Sequence, residues 1–221
     1  MSSHHIVRDK QEPALIIADG EECSFDLLGQ LLEWSPFIVV LDGAIIRVLE
    51  LGIKVDVLLG DFDRLGQKLD EIKKIQHPLE IIHTPDQDKT DLEKAFEFLI
   101  QRGHKAANVV WATGKRADHT ISNITQLIKY KNQLQVVILD NHSRVFCLNS
   151  NFRKWYPAGT PISLIPVGTV NGITTNGLKY NLKDETLRLG HRSGNSNEVL
   201  EDGIISIEHI EGDLLLMECH D

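Results

Sequence analysis

The sequence predicts an α/β fold: an N-terminal open, mostly parallel sheet with flanking helices (Rossmann-like), followed by a C-terminal all-β sandwich domain. Three observations predict it. Short continuous apolar runs recur through the first two-thirds of the chain, and the segments between them carry apolar residues at helical spacing. After about Asn141, Gly, Pro, Asn and Thr become frequent and helical periodicity disappears. We therefore place an α/β domain at residues 1–141 and a β domain at residues 142–221.

The N-terminal elements follow from the apolar runs, because continuous runs are typical of parallel strands buried on both faces. The runs are Leu15–Ala18, Phe37–Leu41, Val55–Leu59, Ile81–Ile82, Val109–Ala112 and Val136–Leu139. Two intervening segments predict helices by their apolar stripes. One stripe is Leu92, Ala95, Phe96 and Leu99, and the other is Ile121, Ile124 and Ile128. Repeated β/α units of this kind predict right-handed crossovers.

The C-terminal part predicts only strands. Turn signals at residues 170–172 and 175–177 separate short β-like runs, which favours a sandwich. These runs are Arg144–Leu148, Pro161–Val167, Gly172–Thr175, Leu187–Leu189, Gly203–Ile207 and Leu214–Met217.

Composition excludes several classes of partner. Lys and Arg total 23 against 32 Asp and Glu, a formal charge of −9, which disfavours nucleic-acid binding because that affinity comes from cations that neutralise phosphates. No apolar run reaches the ~18 residues of a membrane span, so we expect no membrane association. The three widely spaced cysteines favour a reducing compartment, and we expect a cytoplasmic protein.

Polar residues follow four successive predicted strands, at the edge where ligands of open α/β sheets bind. The first two groups are Asp42-Gly43 and Gly60-Asp61-Phe62-Asp63, and the other two are the segments 86–91 and 113–119. This convergence of carboxylates predicts a site more strongly than any single motif.

Asp61 and Asp63 predict a metal site. They are one residue apart in a segment that we expect to be extended, so both side chains would leave the same side and share a hard cation such as Mg²⁺. The alternative is a turn or helix-capping pair before residues 65–74. Because Asp42, Asp88 and Asp91 are expected at the same edge, we favour the metal.

The segment Asp86–Lys94 has two compatible interpretations. Thr90 with Glu93 three residues later forms a capping box, and Asp88 and Asp91 would favour the positive end of the helix. Capping does not explain Gln87 between two aspartates, or Lys94 shortly after Asp91, so a binding role remains open beside it.

The segment Gly114–Asn123 predicts a phosphate contact. Arg116, His119 and Asn123 fall at i, i+3 and i+7 on one face of a predicted helix. A glycine turn opening a helix offers backbone N–H groups to a phosphate, and Arg116 would add a forked cation. A Walker A loop is excluded, because its first glycine and its Ser/Thr are missing. For His119 an ordinary hydrogen-bonding role is the alternative.

These residues resemble one family, thiamine pyrophosphokinase. The motifs in common are Asp42-Gly43, Gly60–Asp63, Asp86–Lys94 and Gly114–Asn123, in that order, followed by residues 164–168, 174–182 and 196–198. The resemblance implies transfer of a pyrophosphoryl group from ATP to the hydroxyl of thiamine, which gives thiamine diphosphate and AMP. It also implies a homodimer that binds thiamine between its subunits.

The resemblance assigns roles to matching positions. It implies that Mg²⁺ is bound by Asp61, Asp63 and Asp91, which with Arg116 and Asp118 form the catalytic set. The implied ATP-binding residues are Asp42, Asp88, Thr90, Lys94, Arg116, Asp118 and His119, and the implied thiamine-binding residues are Gln87, Tyr180, Ser196 and Asn197.

This sequence departs from the family's pattern at Arg64, Lys115 and Ile46, where Ser, Gly and Asn are common. None of the three is an implied metal ligand. Two other functions remain open: a metal-dependent phosphohydrolase or nucleotidyltransferase that uses the same aspartates, and a non-catalytic nucleotide- or thiamine-binding module.

Overall fold

The computed structural model describes residues 12–63 and 65–220 of this mixed α/β chain. They divide into two compact units. The first comprises the described residues up to Gln126 together with Tyr130–Val136, and the second comprises Leu127–Lys129 and the described residues from Val137 onward. The predicted domain boundary after residue 141 stays a prediction, because a division by contacts does not test independent folding.

The first unit contains a parallel sheet. Its strands are β1 (Ala14–Ile17), β2 (Ile38–Leu41), β3 (Val57–Gly60), β4 (Glu80–His83) and β5 (Ala106–Val110). They lie in the order β4-β3-β2-β1-β5, and every neighbouring pair is parallel. The first three strands are buried at every position, which explains their continuous apolar runs. The direction of strand addition reverses between β1 and β5, which is the switch point of the sheet.

In the described part of the chain, one α-helix follows each of these five strands. The helices are α1 (Phe25–Leu32), α2 (Ile45–Glu50), α3 (Lys68–Ile75), α4 (Asp91–Gln101) and α5 (Ala117–Tyr130), and a 3₁₀ turn at Asp42–Ala44 leads into α2. The apolar stripe predicted for α4 is confirmed, because all four of its members are buried. The stripe predicted for α5 is wrong at Ile121, whose side chain is 66% exposed.

Strands make up almost all of the rest. They are β6 (Gln135–Leu139), β7 (Ser143–Cys147), β8 (Asn151–Tyr156), β9 (Pro161–Asn176), β10 (Glu185–Arg188), β11 (Gly194–Glu198), β12 (Gly203–Glu208) and β13 (Glu211–Cys219). From β6 their order is β6-β7-β13-β9-β12-β8, and each neighbouring pair is antiparallel. Strands β10 and β11 also pair with β9.

Strand β9 corrects the predicted arrangement. The turn expected at residues 170–172 is wrong, because β9 continues through it. Gly168 and Gly172 have φ of 79° and 68°, and the register against β13 shifts between them, so the strand accommodates a bulge without ending. The N-terminal half of β9 pairs with β11 and most of β13, and the C-terminal half pairs with β10 and β12.

The core of the second unit draws on both halves of β9. Ile162 and Leu164 come from the first half, Val170 and Ile173 from the second, and all four are at most 1% exposed. The other members of this core are Leu148, Tyr156, Leu178, Leu182, Leu187, Val199, Ile205, Ile207, Leu214 and Leu216. Each large apolar side chain buried in this way contributes about 1.5–3 kcal/mol to folding. None of the helices in the described part of the chain has the length and apolarity that crossing a membrane requires.

Candidate active site

The carboxyl ends of β2, β3 and β4 bring a group of charged side chains into mutual influence. We call the group of Asp42, Asp61, Asp63, Asp91 and Lys94 the acidic edge. Asp42 lies close enough to Asp61 and Asp91 for their charges to raise its pKa. The positive charge of Lys94 helps to lower the pKa of Asp61. The predicted convergence of side chains from successive strands is therefore present for Asp42, Asp61, Asp91 and Lys94.

Asp42 is a half-buried carboxylate that organises the neighbouring turn. Its Oδ2 accepts a hydrogen bond from Phe62 N at 3.0 Å. A Cβ added to Gly60 would lie 2.4 Å from Asp42 Cγ, so only glycine lets the two strand ends approach this closely. Burial is the largest cause that raises the pKa of Asp42, and the charges of Asp91 and Asp61 add to it.

The turn after β3 differs from the prediction. The segment is not extended, because Phe62 has a φ of 61°, in the left-handed region. Its ring stacks on His83 with centroids 5.9 Å apart. Asp63 N donates to Asp61 Oδ1 at 3.2 Å, which makes a local Asx turn. The departure at Arg64 lies outside the described residues.

The hydrogen bonds around Asp61 favour its charged form. The hydrogen bond from Asp63 N is the largest cause that lowers the pKa of Asp61, and Gln87 contributes through a longer contact of 3.4 Å between Gln87 Nε2 and Asp61 Oδ2. The structure therefore brings Gln87, the predicted thiamine contact, to a predicted metal ligand.

Lys94 supplies a buried cation at the acidic edge. Its side chain is only 8% exposed. The ammonium donates to Asp91 Oδ1 at 3.1 Å and to the carbonyl oxygen of Thr84 at 2.9 Å. These contacts fix the ammonium at the start of α4, one turn from Thr90.

The predicted helix cap at Thr90 is confirmed. Its Oγ1 accepts from Glu93 N at 3.2 Å, and Gln126 Nε2 donates to the same oxygen at 2.7 Å. The Glu93 side chain is buried and accepts a hydrogen bond from Tyr130 Oη at 3.1 Å. Glu93 thus links the start of α4 to the end of α5.

A second set of contacts fixes the loop that carries Gln87 and Asp88. Lys89 Nζ lies 2.8 Å from both carboxylate oxygens of Glu97, and Tyr130 Oη, which has one proton for Glu93 and Glu97 together, lies 3.1 Å from Glu97 Oε1. Asp88 N donates to Asp86 Oδ1 at 2.8 Å. The loop is therefore tied to α4 at the residue after Asp88.

The acidic edge does not by itself form a metal site in the described residues, and a divalent cation held there would need further ligands from its substrate. Within residues 12–63 and 65–220, no three His, Cys, Asp or Glu side chains are already gathered into a metal-binding group. The negative charges of Asp91 and Asp61 nevertheless raise the pKa of Asp42, so these three carboxylates are close enough to repel one another. Mg²⁺ usually takes one or two carboxylates together with substrate phosphates and water, so it does not need a complete protein cage.

The glycine turn predicted after β5 is present in altered form, and its contact with a phosphate stays a prediction. Gly114 and Lys115 have φ of 75° and 51°. Arg116 is extended and stands just before α5, so it does not continue the helical face of His119 and Asn123 as predicted. Its Nε donates to Asp118 Oδ1 at 3.1 Å, and this guanidinium holds the pKa of Asp118 at about 2. Arg116, Asp118 and His119 are all exposed.

Sequence reasoning missed the residues at the end of β1. Arg47 Nη2 lies 2.6 Å from Asp19 Oδ1, its Nη1 donates to Gly20 O at 3.1 Å, and its guanidinium covers the ring of Trp111. Lys115 Nζ donates to Asp19 O at 3.1 Å. These residues stand at the switch point between β1 and β5, where an open α/β sheet binds ligands. The signal was Asp19-Gly20 directly after the first apolar run.

The three predicted thiamine contacts of the second unit lie near one another. A cavity of about 170 Å³ is lined by Tyr180 and Asn197, with Leu164 and Leu182 as apolar walls. The ring of Tyr180 is largely exposed, whereas Asn197 is buried. Ser196 precedes Asn197 with a φ of 56°, and its N–H donates to Ser163 Oγ at 3.0 Å.

Comparison with known proteins identifies the family. The profile of the thiamin pyrophosphokinase catalytic domain matches residues 28–138, and that of the thiamin pyrophosphokinase vitamin B1 binding domain matches residues 151–212. The chain belongs to the thiamin pyrophosphokinase family. The resemblance inferred from the motifs is thereby confirmed.

Relatives and solved structures of thiamin pyrophosphokinases agree with this. Thiamin pyrophosphokinase 1 of Caenorhabditis elegans is 29% identical over 211 residues, covering 88% of this chain and 84% of that protein. Thiamine pyrophosphokinase of Bacillus subtilis is 28% identical over 186 residues, which cover 79% of this chain and 83% of that protein. A crystal structure of the B. subtilis thiamine pyrophosphokinase superposes with a TM-score of 0.82 at 24% identity, covering 95% of this chain and all of that one, so the fold is shared.

Proposed function

We propose that this protein transfers a pyrophosphoryl group from ATP to the hydroxyl of thiamine. The hydroxyl oxygen attacks the β-phosphorus, and the bond from that phosphorus to the oxygen bridging to the α-phosphate breaks. AMP leaves with the electron pair, the hydroxyl proton passes to a carboxylate of the site or to water, and thiamine diphosphate forms. The observation that carries the proposal is the acidic edge, with its buried Lys94, in a chain that matches both family domains in order.

The chain's own residues would position the phosphates and balance their charge. Phosphoryl-type transfer requires mainly positioning and charge stabilisation from a protein. Lys94 would offer a preorganised cation, since its ammonium is already fixed by Asp91 and Thr84. Arg116 would turn from Asp118 to a phosphate, and Asp42, Asp88, Thr90, Asp118 and His119 would surround the nucleotide.

We assign the metal site to Asp61, Asp63 and Asp91. Mg²⁺ bound there with the ATP phosphates would neutralise charge on the transferred group. The lowered pKa of Asp61 supports this assignment, because a metal ligand must be deprotonated.

We assign thiamine binding to Gln87, Tyr180, Ser196 and Asn197. Thiamine is a cationic heterocycle, and the exposed ring of Tyr180 beside a cavity supports stacking on such a ligand. We further propose a cytoplasmic homodimer with thiamine between its subunits.

We also propose that the second unit is a β-sandwich. Side chains from both halves of β9 pack into one hydrophobic core, which supports this arrangement.

The proposal is tested with purified protein, ATP, Mg²⁺ and thiamine, with the products separated by chromatography. We expect AMP and thiamine diphosphate in equal amounts. ADP as product, or AMP release that does not depend on thiamine, would indicate a different phosphotransferase or a hydrolase. Thiamine binding without turnover would indicate a non-catalytic module.

A further inference from the structure

Tyr180 lies on a loop, residues 177–182, that leaves the end of β9 and precedes β10. We call it the Tyr180 loop. Tyr180 is 64% exposed and borders the cavity, and apart from the Lys179 ammonium, 5.8 Å from the centre of its ring, little packing fixes the ring in place. The position of the ring therefore depends on how the backbone of the loop is held.

One side chain holds the backbone of Tyr180 from both sides. Asn197 Nδ2 donates to Tyr180 O at 2.8 Å, and Asn197 Oδ1 accepts from Tyr180 N at 3.1 Å. Asn197 is 8% exposed and lies on β11, opposite Ile162 of β9. A buried amide in this arrangement pairs both main-chain groups of one residue, as a neighbouring strand would.

The rest of the loop is fastened near the same strand. Lys179 N donates to Glu198 O at 2.9 Å, and Lys179 Nζ lies 2.6 Å from Glu198 Oε1. Within the loop, Asn181 Oδ1 accepts from Leu178 N at 3.2 Å. The backbone at Tyr180 itself is held by Asn197 alone among these side chains.

We infer that Asn197 is a positioning residue, which holds Tyr180 against the cavity so that its ring can receive the heterocycle. The inference rests on the proposed thiamine site and changes the role assigned to Asn197 within it. Asn197 Oδ1 accepts from both Tyr180 N and Glu198 N, and one of the two Nδ2 hydrogens is donated to Tyr180 O. Most of the hydrogen-bonding capacity of Asn197 therefore serves the loop, and its main effect on thiamine passes through Tyr180.

A double-mutant cycle tests this role through thiamine affinity. We expect N197A to raise the KM for thiamine about tenfold, since both main-chain groups of Tyr180 lose their partner, while the KM for ATP stays within about twofold. N197S keeps a small hydrogen-bonding side chain without adding a charge, so its effect should be intermediate, and it carries the test if N197A does not fold. In a Y180A background, N197A should have almost no further effect on the KM for thiamine.

The control is N176A, which removes an exposed amide from the end of β9 outside the cavity lining. We expect faster hydrogen exchange in peptides covering residues 177–182 of N197A, and unchanged exchange there in N176A. Additive effects of N197A and Y180A, or unchanged exchange in N197A, would overturn the inference. Wild-type protein without thiamine-dependent turnover would refute the proposed function instead, and the exchange measurement would still decide whether Asn197 holds the loop.

Discussion

The acidic edge and the Tyr180 loop are both sites for a proposed ligand, but different forces hold them. At the acidic edge, Lys94 pairs with Asp91, and burial together with the charges of Asp91 and Asp61 raises the pKa of Asp42. In the Tyr180 loop the central contact is a neutral amide that pairs with backbone. One region is built from full charges and the other mainly from dipoles.

Because different forces hold the two sites, salt and bound cations should affect them differently. Charge interactions weaken with ionic strength and change with a bound cation, whereas hydrogen bonds between neutral groups change little. We therefore expect salt and metal to act on the acidic edge and to leave the Tyr180 loop almost unchanged.

The largest effect should follow D61N. The substitution removes one charge from the proposed metal ligands while keeping a similar shape, so turnover should fall by roughly 10²–10³-fold or more. The melting temperature should stay close to that of the wild type. The control is D70N, the same substitution on the exposed surface of α3. Near wild-type turnover of D61N would move the metal site elsewhere.

A smaller effect, on the KM for ATP and on the free energy of unfolding, is expected for K94M. Methionine keeps the apolar stem but removes the ammonium that binds Asp91 and Thr84 O. The KM for ATP should rise at least about tenfold, and the free energy of unfolding should fall by about 1–2 kcal/mol. Steady-state kinetics and urea denaturation measure the two effects. If the KM for thiamine changed instead, Lys94 would not serve the nucleotide.

The pair Lys89–Glu97 should contribute less and should depend on salt. K89M frees the loop that carries Gln87 and Asp88, and we expect turnover to fall about fivefold or less at low ionic strength. The difference from wild type should shrink as NaCl is raised. The matched control is K73M, which removes an exposed lysine paired with Asp70. A salt-independent loss would show that packing, not charge, holds this loop.

The smallest effect concerns pH. Arg116 holds the pKa of Asp118 at about 2, below the usual value, so the stability that this pair provides is present above pH ~4 and is lost only as the pH falls through about 2. Between pH 5 and 9 the pair should cause no inflection in the rate profile. D118N should therefore change the height of that profile and not its shape. Loss of an inflection in D118N would show that Asp118 titrates in the working range.

Much of the N-terminal fold could be predicted because burial on both faces of a parallel sheet leaves a direct mark in the sequence. The cap at Thr90 was predictable for the same kind of reason, since it depends on residues three apart. The second unit was harder. Strands β8 and β11 are rich in polar residues, and β9 contains the glycines that ordinarily mark turns. Periodicity cannot separate a bulge inside a strand from a turn between two strands.

The candidate site was likewise predictable only where strand order determines it, and not where contacts between distant residues do. Convergence of Asp42, Asp61 and Asp91 follows from strand direction, so the sequence was sufficient. The left-handed backbone of Phe62 was not predictable, because it depends on Asp42 and His83, which are distant in sequence. The contacts of Arg47 with Asp19 and Trp111 were missed for a similar reason.

The position of β13 affects the order in which the second unit can form. This strand comes after all the others of that unit in the chain, yet it lies between β7 and β9 and not at an edge. During synthesis, β7 and β9 are therefore complete well before the strand that joins them exists. We expect the nascent chain to keep these two edges unpaired until β13 is available, and unpaired edges can pair with other chains.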